Sequence, residues 1–416
     1  MIYDSEFDPL GVLLPFWNLT KKSVHTILHR LFLFGGVMRV LHVISDENIG
    51  GAGVLLTSLL KNMDPARVES IVAMPRGSLL EKRITDLNIP IYSLSYPCDR
   101  INFCSVRELQ NLMRKEKIDI VHANAAICAR IAGKLSKKVV LHTRHCCFPP
   151  KGIWKTRFMR EIGGIGNRIL SDRVIATADA AAENLRILGI PSDRIEVIIN
   201  GSEPIRSVSE AELDVYRQKF GIKKTDFCIA ICARLEEYKG HDVFLSAAKR
   251  IVSRFSNRSF CFLIVGDGSM RETLQKWVKQ EEMSSSVHFT GFVEDMAPIY
   301  RLLDLNVNCS RGTETSCLAL SEGMSAGVPF VASDFGGNVA MKGESEAGIL
   351  FPVDDIEALT ETIGRIADDP VLHTKMRAAA FARYQEKYTA VQMGEHLTAV
   401  YEDLMKLKYE APKSQR

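Results

Sequence analysis

The stretch Met38-Arg39-Val40-Leu41-His42-Val43-Ile44, continued by Asp46-Glu47-Asn48-Ile49-Gly50-Gly51-Ala52-Gly53 and a helical pattern over 54–61, decides the fold class. An apolar run too short for a helix, a glycine turn and then an amphipathic segment make one strand-turn-helix unit. The nearly unbroken apolarity of the run marks a strand covered on both faces, as in a parallel sheet. Working outward, the same alternation recurs along the chain. Strands are expected at 40–45, 69–74, 91–94, 120–122, 139–142, 173–176 and 195–199. After Asn200-Gly201, a turn signal, a charged segment runs to Arg217 and the alternation starts again. The second series has strands at 227–232, 260–265, 287–290, 305–309, 330–332 and 348–351. Its helices are expected at 241–255, 270–282, 316–326, 356–367 and 370–384, with a last amphipathic stretch over 390–407. The reading is therefore α/β with two Rossmann-like domains, 38–205 and 206–385, an N-terminal extension over 1–37 and a final helix within 386–410.

Composition narrows the function. A formal charge of +3 on 416 residues is too small to mark a nucleic-acid binder. Ten cysteines are scattered without C-x-x-C spacing, several of them inside strands, which suits reduced thiols in the cytoplasm. No apolar stretch reaches the roughly 18 residues of a membrane span. No Asp-x-Asp occurs, so the carboxylate clamp for Mg²⁺ or Mn²⁺ is not expected, and neither metal nor cofactor is predicted.

Ligands of open parallel sheets sit beyond the carboxyl ends of the strands, so the loops after strands come first. Gly50 and Gly51 precede a helix and allow close approach of an anion to its amino end. Arg234 and Lys239, in Arg234-Leu235-Glu236-Glu237-Tyr238-Lys239-Gly240, put two cations on one loop, enough to balance a departing diphosphate. Val265-Gly266-Asp267-Gly268-Ser269 repeats the strand-turn-helix pattern, and Gly291-Phe292-Val293 should lie beside it. In the run from Ser310 to Pro329, Glu314 and Glu322 bracket a helix expected to start near Ser316. If that helix spans the interval, the two carboxylates stand about 12 Å apart, the length of a nucleotide sugar. The free amides of Thr315, Ser316, Cys317 and Leu318 would then face the diphosphate between them.

Taken together, these loops resemble the retaining glycosyltransferases of family 4, with their GT-B architecture of two facing Rossmann-like domains and a central cleft. The E-x(7)-E pattern is met by Glu314 and Glu322, the R-x(4)-K pattern by Arg234 and Lys239, and the resemblance runs from about Met38 to Leu407. It implies that Arg234 and Lys239 hold the donor diphosphate, Glu322 the ribose and Glu314 the transferred sugar, with Gly50 and Gly51 near the phosphates and the base near Val293. It also implies an active-site histidine after a strand of the first domain, His145 or alternatively His142, and a final helix that crosses back to that domain. Two positions depart from the family pattern: Thr315-Ser316-Cys317 stands where a Gly-Phe-Gly-like stretch is usual, and Ser202-Glu203 replaces the customary Asp.

The expected activity is transfer of a hexose from a nucleotide diphosphate, UDP first among them, to a glycan or polyprenyl-linked acceptor. The alternatives are a nucleotide-sugar epimerase of the same fold or an inactive sugar-nucleotide binder. The segment 151–173 interleaves Lys151, Lys155, Arg157, Arg160, Arg168 and Arg173 with Trp154, Phe158, Met159 and Ile162, a composition suited to anionic lipid. It points to peripheral contact at the inner face of the plasma membrane.

Overall fold

The computed structural model describes residues 36–47, 50–145, 152, 156–312 and 317–410. The N-terminal extension up to residue 35, together with Glu314, Thr315, Ser316, Lys151, Trp154 and Lys155, lies outside the described residues.

Thirteen strands form two wholly parallel sheets among the described residues. The first holds β1 (Met38–Ile44), β2 (Val68–Pro75), β3 (Ile91–Leu94), β4 (Ile120–Asn124), β5 (Val139–Arg144), β6 (Arg173–Ala176) and β7 (Ile195–Val197), in the order β3-β2-β1-β4-β5-β6-β7. The second holds β8 (Phe227–Cys232), β9 (Phe260–Val265), β10 (Val287–Gly291), β11 (Leu305–Asn308), β12 (Phe330–Ser333) and β13 (Gly348–Phe351), in the order β10-β9-β8-β11-β12-β13. Central strands are buried along nearly their whole length. All six residues of Phe260–Val265 are buried, which is why the sequence reads there as a continuous apolar run. Each sheet reverses its winding once, between β1 and β4 and between β8 and β11. Crevices at such reversals are where open sheets of this kind bind ligands.

Two passes of chain join the halves. Ser202 N–H donates to the Tyr388 carbonyl at 2.9 Å, Ala390 N–H donates to the Ser202 carbonyl at 3.0 Å, and Tyr384 OH reaches that same carbonyl at 2.8 Å. Gly201 makes this approach possible, because a Cβ there would collide with the carbonyl of Thr389. Beyond the crossing, the helix Ala390–Glu410 leaves the second sheet and inserts Met393, Leu397, Tyr401, Leu404 and Met405 into the core beneath β1 and β4. The helix Pro370–Lys387 stays behind, with Met376, Ala380 and Tyr384 buried against the second half. Glu203 accepts from Ser58 Oγ at 3.1 Å, from Lys61 Nζ at 3.3 Å and from the Asn62 amide, so the acidic residue after Ser202 ties the connection to the helix Gly51–Lys61.

Several expected boundaries move by one to three residues, two of them for reasons the contacts show. The strand expected over 195–199 ends at Val197, because the following residues turn toward the crossing. The helix expected from Ser316 begins at Leu318, since Cys317 is extended (φ −81°, ψ 100°) and its buried sulfur accepts from Asn308 Nδ2 at 3.0 Å.

Replacing Gly201 by Ala should destabilise the protein by about 1–3 kcal/mol, the usual range for overpacking a filled site. A Cβ on Gly51 meets nothing within 4 Å. Gly51→Ala should therefore stay within about 0.5 kcal/mol of the parent in urea or thermal unfolding.

Candidate functional site

At the carboxyl edge of the second sheet, the loops after β8, β9, β10 and β11 are knitted into one rim. Leu235 N–H donates to the Asp267 carbonyl at 3.0 Å, Met270 N–H to the Leu235 carbonyl at 2.9 Å, Gly266 N–H to the Gly291 carbonyl at 3.0 Å and Arg311 N–H to the Tyr238 carbonyl at 2.9 Å. Gly240 closes the cation loop in the left-handed region (φ 70°), pressed so tightly on the Cys309 backbone that a side chain would collide with it.

This rim brings Arg234, Lys239, Val293 and Glu322 to one edge. Arg234 is exposed, and its Nη2 donates to Tyr238 OH at 2.6 Å. Lys239 Nζ stands over the same ring at 5.4 Å from the centroid. Tyr238 therefore braces both cations, a role the sequence did not flag although the residue lies between them in the quoted loop. Val293 is half-buried against the second core, and its neighbour Phe292 is 65% exposed, an aromatic face open at the rim.

Glu322 lies on the short helix Leu318–Ser325. Its carboxylate accepts from Tyr300 OH at 2.9 Å. Burial raises its pKa, and the Tyr300 hydrogen bond offsets part of that shift. Tyr300, fully buried on the helix Ala297–Leu302, sits 22 residues before its partner, so nothing local in the sequence reveals the pair. With the helix starting at Leu318, helical rise covers only the second half of the interval from Glu314 to Glu322, and the 12 Å estimate rests on a helix longer than the one formed. Cys317 is its N-terminal flank with a buried side chain. The Leu318 side chain packs against the core of the first half, which leaves its backbone as the part able to meet a ligand.

The first half contributes Gly50, Gly51 and a histidine cluster. Neither glycine has positive φ among the described residues, so the fold itself does not require glycine there. Gly53, by contrast, is a packing glycine, since a Cβ on it would press on Leu80. Gly50 flanks the amino end of the helix Gly51–Lys61, and Asp46, whose pKa burial raises, lies beside it.

His145, just past β5, donates from Nε2 to Asn124 Oδ1 at 2.9 Å. Burial lowers its pKa to about 4, so the ring is neutral at pH 7. Asn124, Thr143 and His145 line one cavity together with His122, whose ring nitrogens meet Tyr401 OH at 2.6 Å and Thr143 Oγ1 at 2.5 Å. His142 is directed elsewhere, its Nδ1 lying 3.4 Å from the Ala123 carbonyl oxygen. Among the described residues no group of three His, Cys, Asp or Glu side chains is disposed to hold a metal, and no helix is long and apolar enough to cross a membrane.

Comparison with known proteins follows the same division of the chain. The model for glycosyl transferases group 1 matches residues 213–383, and that for Glycosyltransferase Family 4 matches residues 49–206. The UDP-Gal:alpha-D-GlcNAc-diphosphoundecaprenol alpha-1,3-galactosyltransferase of Escherichia coli is 28% identical over 65% of this chain and 71% of its own length. The 2-deoxystreptamine N-acetyl-D-glucosaminyltransferase of Streptomyces fradiae is 27% identical over 65% of this chain and 67% of its own length. The crystal structure of Anabaena HepE in complex with UDP and glucose superimposes with a TM-score of 0.75 at 18% identity, over 88% of this chain and 99% of that one, and fixes the architecture as GT-B.

Because its pKa is raised in the folded state, Glu322 lowers stability as pH rises from the ordinary carboxylate value through the folded one, and the penalty persists above it. Glu322→Gln should therefore melt at a temperature equal to the parent's or up to about 3 °C higher at pH 7. The gain should largely disappear at pH 4, below the ordinary carboxylate value, in thermal melts at the two pH values.

Proposed function

From a chain that belongs to the glycosyltransferases, the group 1 and family 4 models covering its two halves, we propose a retaining, metal-independent hexosyltransferase. It draws its sugar from a UDP-linked donor and delivers it to a glycan or polyprenyl-linked acceptor in polysaccharide or glycoconjugate synthesis. The observation that carries this reading is the single rim formed by Arg234, Lys239 and the partly desolvated Glu322, two cations on one loop and a carboxylate on a short helix, flanking the reversal between β8 and β11. UDP is supported as the nucleotide by HepE, solved with UDP and glucose, and by the Escherichia coli enzyme, named for UDP-Gal.

The second half, 206–385, acts as the donor domain. Arg234 takes the diphosphate oxygens bidentately and Lys239 adds a movable positive charge, which together compensate the charge released as the sugar departs. Glu322 accepts from the ribose hydroxyls, held in place by Tyr300. The backbone at Leu318 faces the phosphates, and the base lies along Val293. Glu314 keeps the role its motif implies, contact with the transferred sugar. The first half, 38–205 with the helix from 386–410, receives the acceptor and presents neutral His145 and the open amino end at Gly50 and Gly51. Retention follows if the leaving phosphate oxygen accepts the acceptor's proton on the same face, a step that needs no protein base.

Membrane contact belongs to the same reading. The helix Arg157–Leu170 packs on the body through Gly164, its one buried residue, where a Cβ would collide with the Gly189 carbonyl. Phe158, Ile162, Ile165 and Ile169, between 43% and 70% exposed, form an outward stripe flanked by Arg157 and Arg168. An apolar stripe bordered by cations is the arrangement that enters an anionic lipid surface.

Three results check this reading. UDP-sugars should raise the melting temperature by mass action, and Arg234→Ala should reduce the shift at least tenfold in apparent affinity, roughly the loss of one or two charge-assisted contacts. Glu314→Ala should retain the shift while losing turnover. In flotation assays the protein should rise with vesicles rich in anionic lipid, and the pair Phe158→Ser with Ile165→Ser should abolish this. An unchanged shift in Arg234→Ala and Glu322→Ala together would remove the donor site from the second half.

A further inference from the structure

The connections from β3 to β4, β4 to β5 and β5 to β6 all step in one direction across the first sheet. Right-handed crossovers therefore lay the helices Phe103–Lys115, Ile127–Leu135 and Arg157–Leu170 side by side on one face, each starting at the sheet's carboxyl edge. The middle helix ties its neighbours together. Arg130 Nη2 donates to Asn167 Oδ1 at 2.7 Å on one side, and on the other Cys128 N–H donates to the Cys98 carbonyl at 3.2 Å. The loop from Ser95 to Asn102 thus stands on the same side of the molecule as the apolar stripe of the third helix, one helix away from it.

That loop is pinned from within. Cys98 is buried in the core, Ser105 Oγ donates to the Pro97 carbonyl at 2.6 Å, and Asn102 Oδ1 caps the following helix by accepting from the N–H groups of Cys104 and Ser105. Yet Ile101 is 66% exposed and Phe103 85%, more than any other large apolar side chain among the described residues. A loop fixed this firmly holds both in water at a cost, which a covering surface would remove. Beyond Phe103 the outer face of its helix is cationic. Exposed Arg107 and Arg114 follow one and three turns along the same line, and exposed Arg100 flanks the loop. Glu108 is turned back to the loop, where both of its oxygens accept from Ser95 N–H, at 3.1 and 3.2 Å.

We propose that Ile101 and Phe103 form a second lipid-inserting point, and that the protein lies on an anionic bilayer with the face made by these three helices. This rests on the membrane reading of the helix Arg157–Leu170 and extends it to a separate element. Two apolar points edged by cations, carried on one side of one sheet, meet the same plane together. One shallow contact binds marginally and reversibly, whereas two reinforce each other through effective concentration. Phe103 and Phe158 both stand at the amino ends of their helices, so the carboxyl edge of the first sheet is brought down to the headgroups. A lipid-linked acceptor then reaches the first half without leaving the bilayer.

The test is flotation of the full chain with vesicles of phosphatidylcholine and phosphatidylglycerol, against phosphatidylcholine alone. The pair Ile101→Ser with Phe103→Ser should lower the bound fraction on anionic vesicles at least about tenfold, as loss of one of two cooperating contacts requires. Because both residues are exposed, its thermal melt should match the parent's. Independently, Phe103→Trp, with the parent's own emission subtracted, should shift its fluorescence to the blue on anionic vesicles and be quenched by lipids brominated along their acyl chains. That measurement carries the comparison should the serine pair fail to melt cooperatively. A serine pair that floats like the parent, or an introduced tryptophan that stays unshifted and unquenched, overturns the proposal while Phe158→Ser with Ile165→Ser still tests the first contact. Self-association of the parent that the serine pair removes, with flotation unchanged, assigns the surface to a second copy of the chain and overturns it too. A parent that does not float with anionic vesicles overturns the membrane reading itself, and the second point falls with it.

Discussion

Within each sheet every described strand runs parallel to its neighbours, and this one constraint generates the rest of the molecule. Parallel neighbours cannot be joined by tight hairpins, so the chain returns through helices that cover both faces, and all carboxyl ends gather along one edge. The loops at that edge have no ladder partners of their own and bond to one another instead. That is how Leu235, Asp267, Gly266, Gly291, Tyr238 and Arg311, distant in sequence, come to share a rim. A charged site built on such a rim inherits the rigidity of four strands without interrupting any of them.

The electrostatics of the two halves are opposed in character. In the second half, charge is retained at the surface by aromatic support, Tyr238 for Arg234 and Lys239, and a carboxylate is held in a place that disfavours its ionisation. In the first half, burial keeps His42, His122 and His145 neutral, and His122 is shared between Tyr401 and Thr143. A ligand carrying a diphosphate at one end and neutral hydroxyls at the other would find each end matched. The partly desolvated carboxylate is a cost to the empty protein of the kind that functional sites carry.

Much of this was legible in the residues. Phe227–Cys232, Phe260–Val265, Arg173–Ala176 and Gly348–Phe351 are strands with the boundaries expected, because a buried parallel strand is an apolar run ended by glycine or charge. Boundaries failed where a distant contact overrode local preference, as at Val197, where the chain leaves for the crossing, and at Cys317, held by Asn308. In the candidate site, Arg234, Lys239 and Glu322 could be proposed by type and spacing, since charge at fixed intervals is visible in one dimension. Tyr300, Asn124 and Tyr238 could not, because a hydroxyl or amide acquires meaning only from what faces it across the fold. The basic and aromatic mixture of 151–173 was visible. That Gly164 anchors its helix and turns Ile165 and Ile169 outward was not.

The helix Ala390–Glu410 fills the space beneath β1 and β4, yet it is translated after the entire second sheet. On the ribosome, the first half therefore emerges with Val40, Leu59 and Ile120 lacking the apolar surface they are built to meet. That half must wait, exposed to chaperones or to premature association, until the last helix is released. The crossing thus makes completion of synthesis a checkpoint for folding, and a ribosome stalled in the second half leaves an unfinished core in the first.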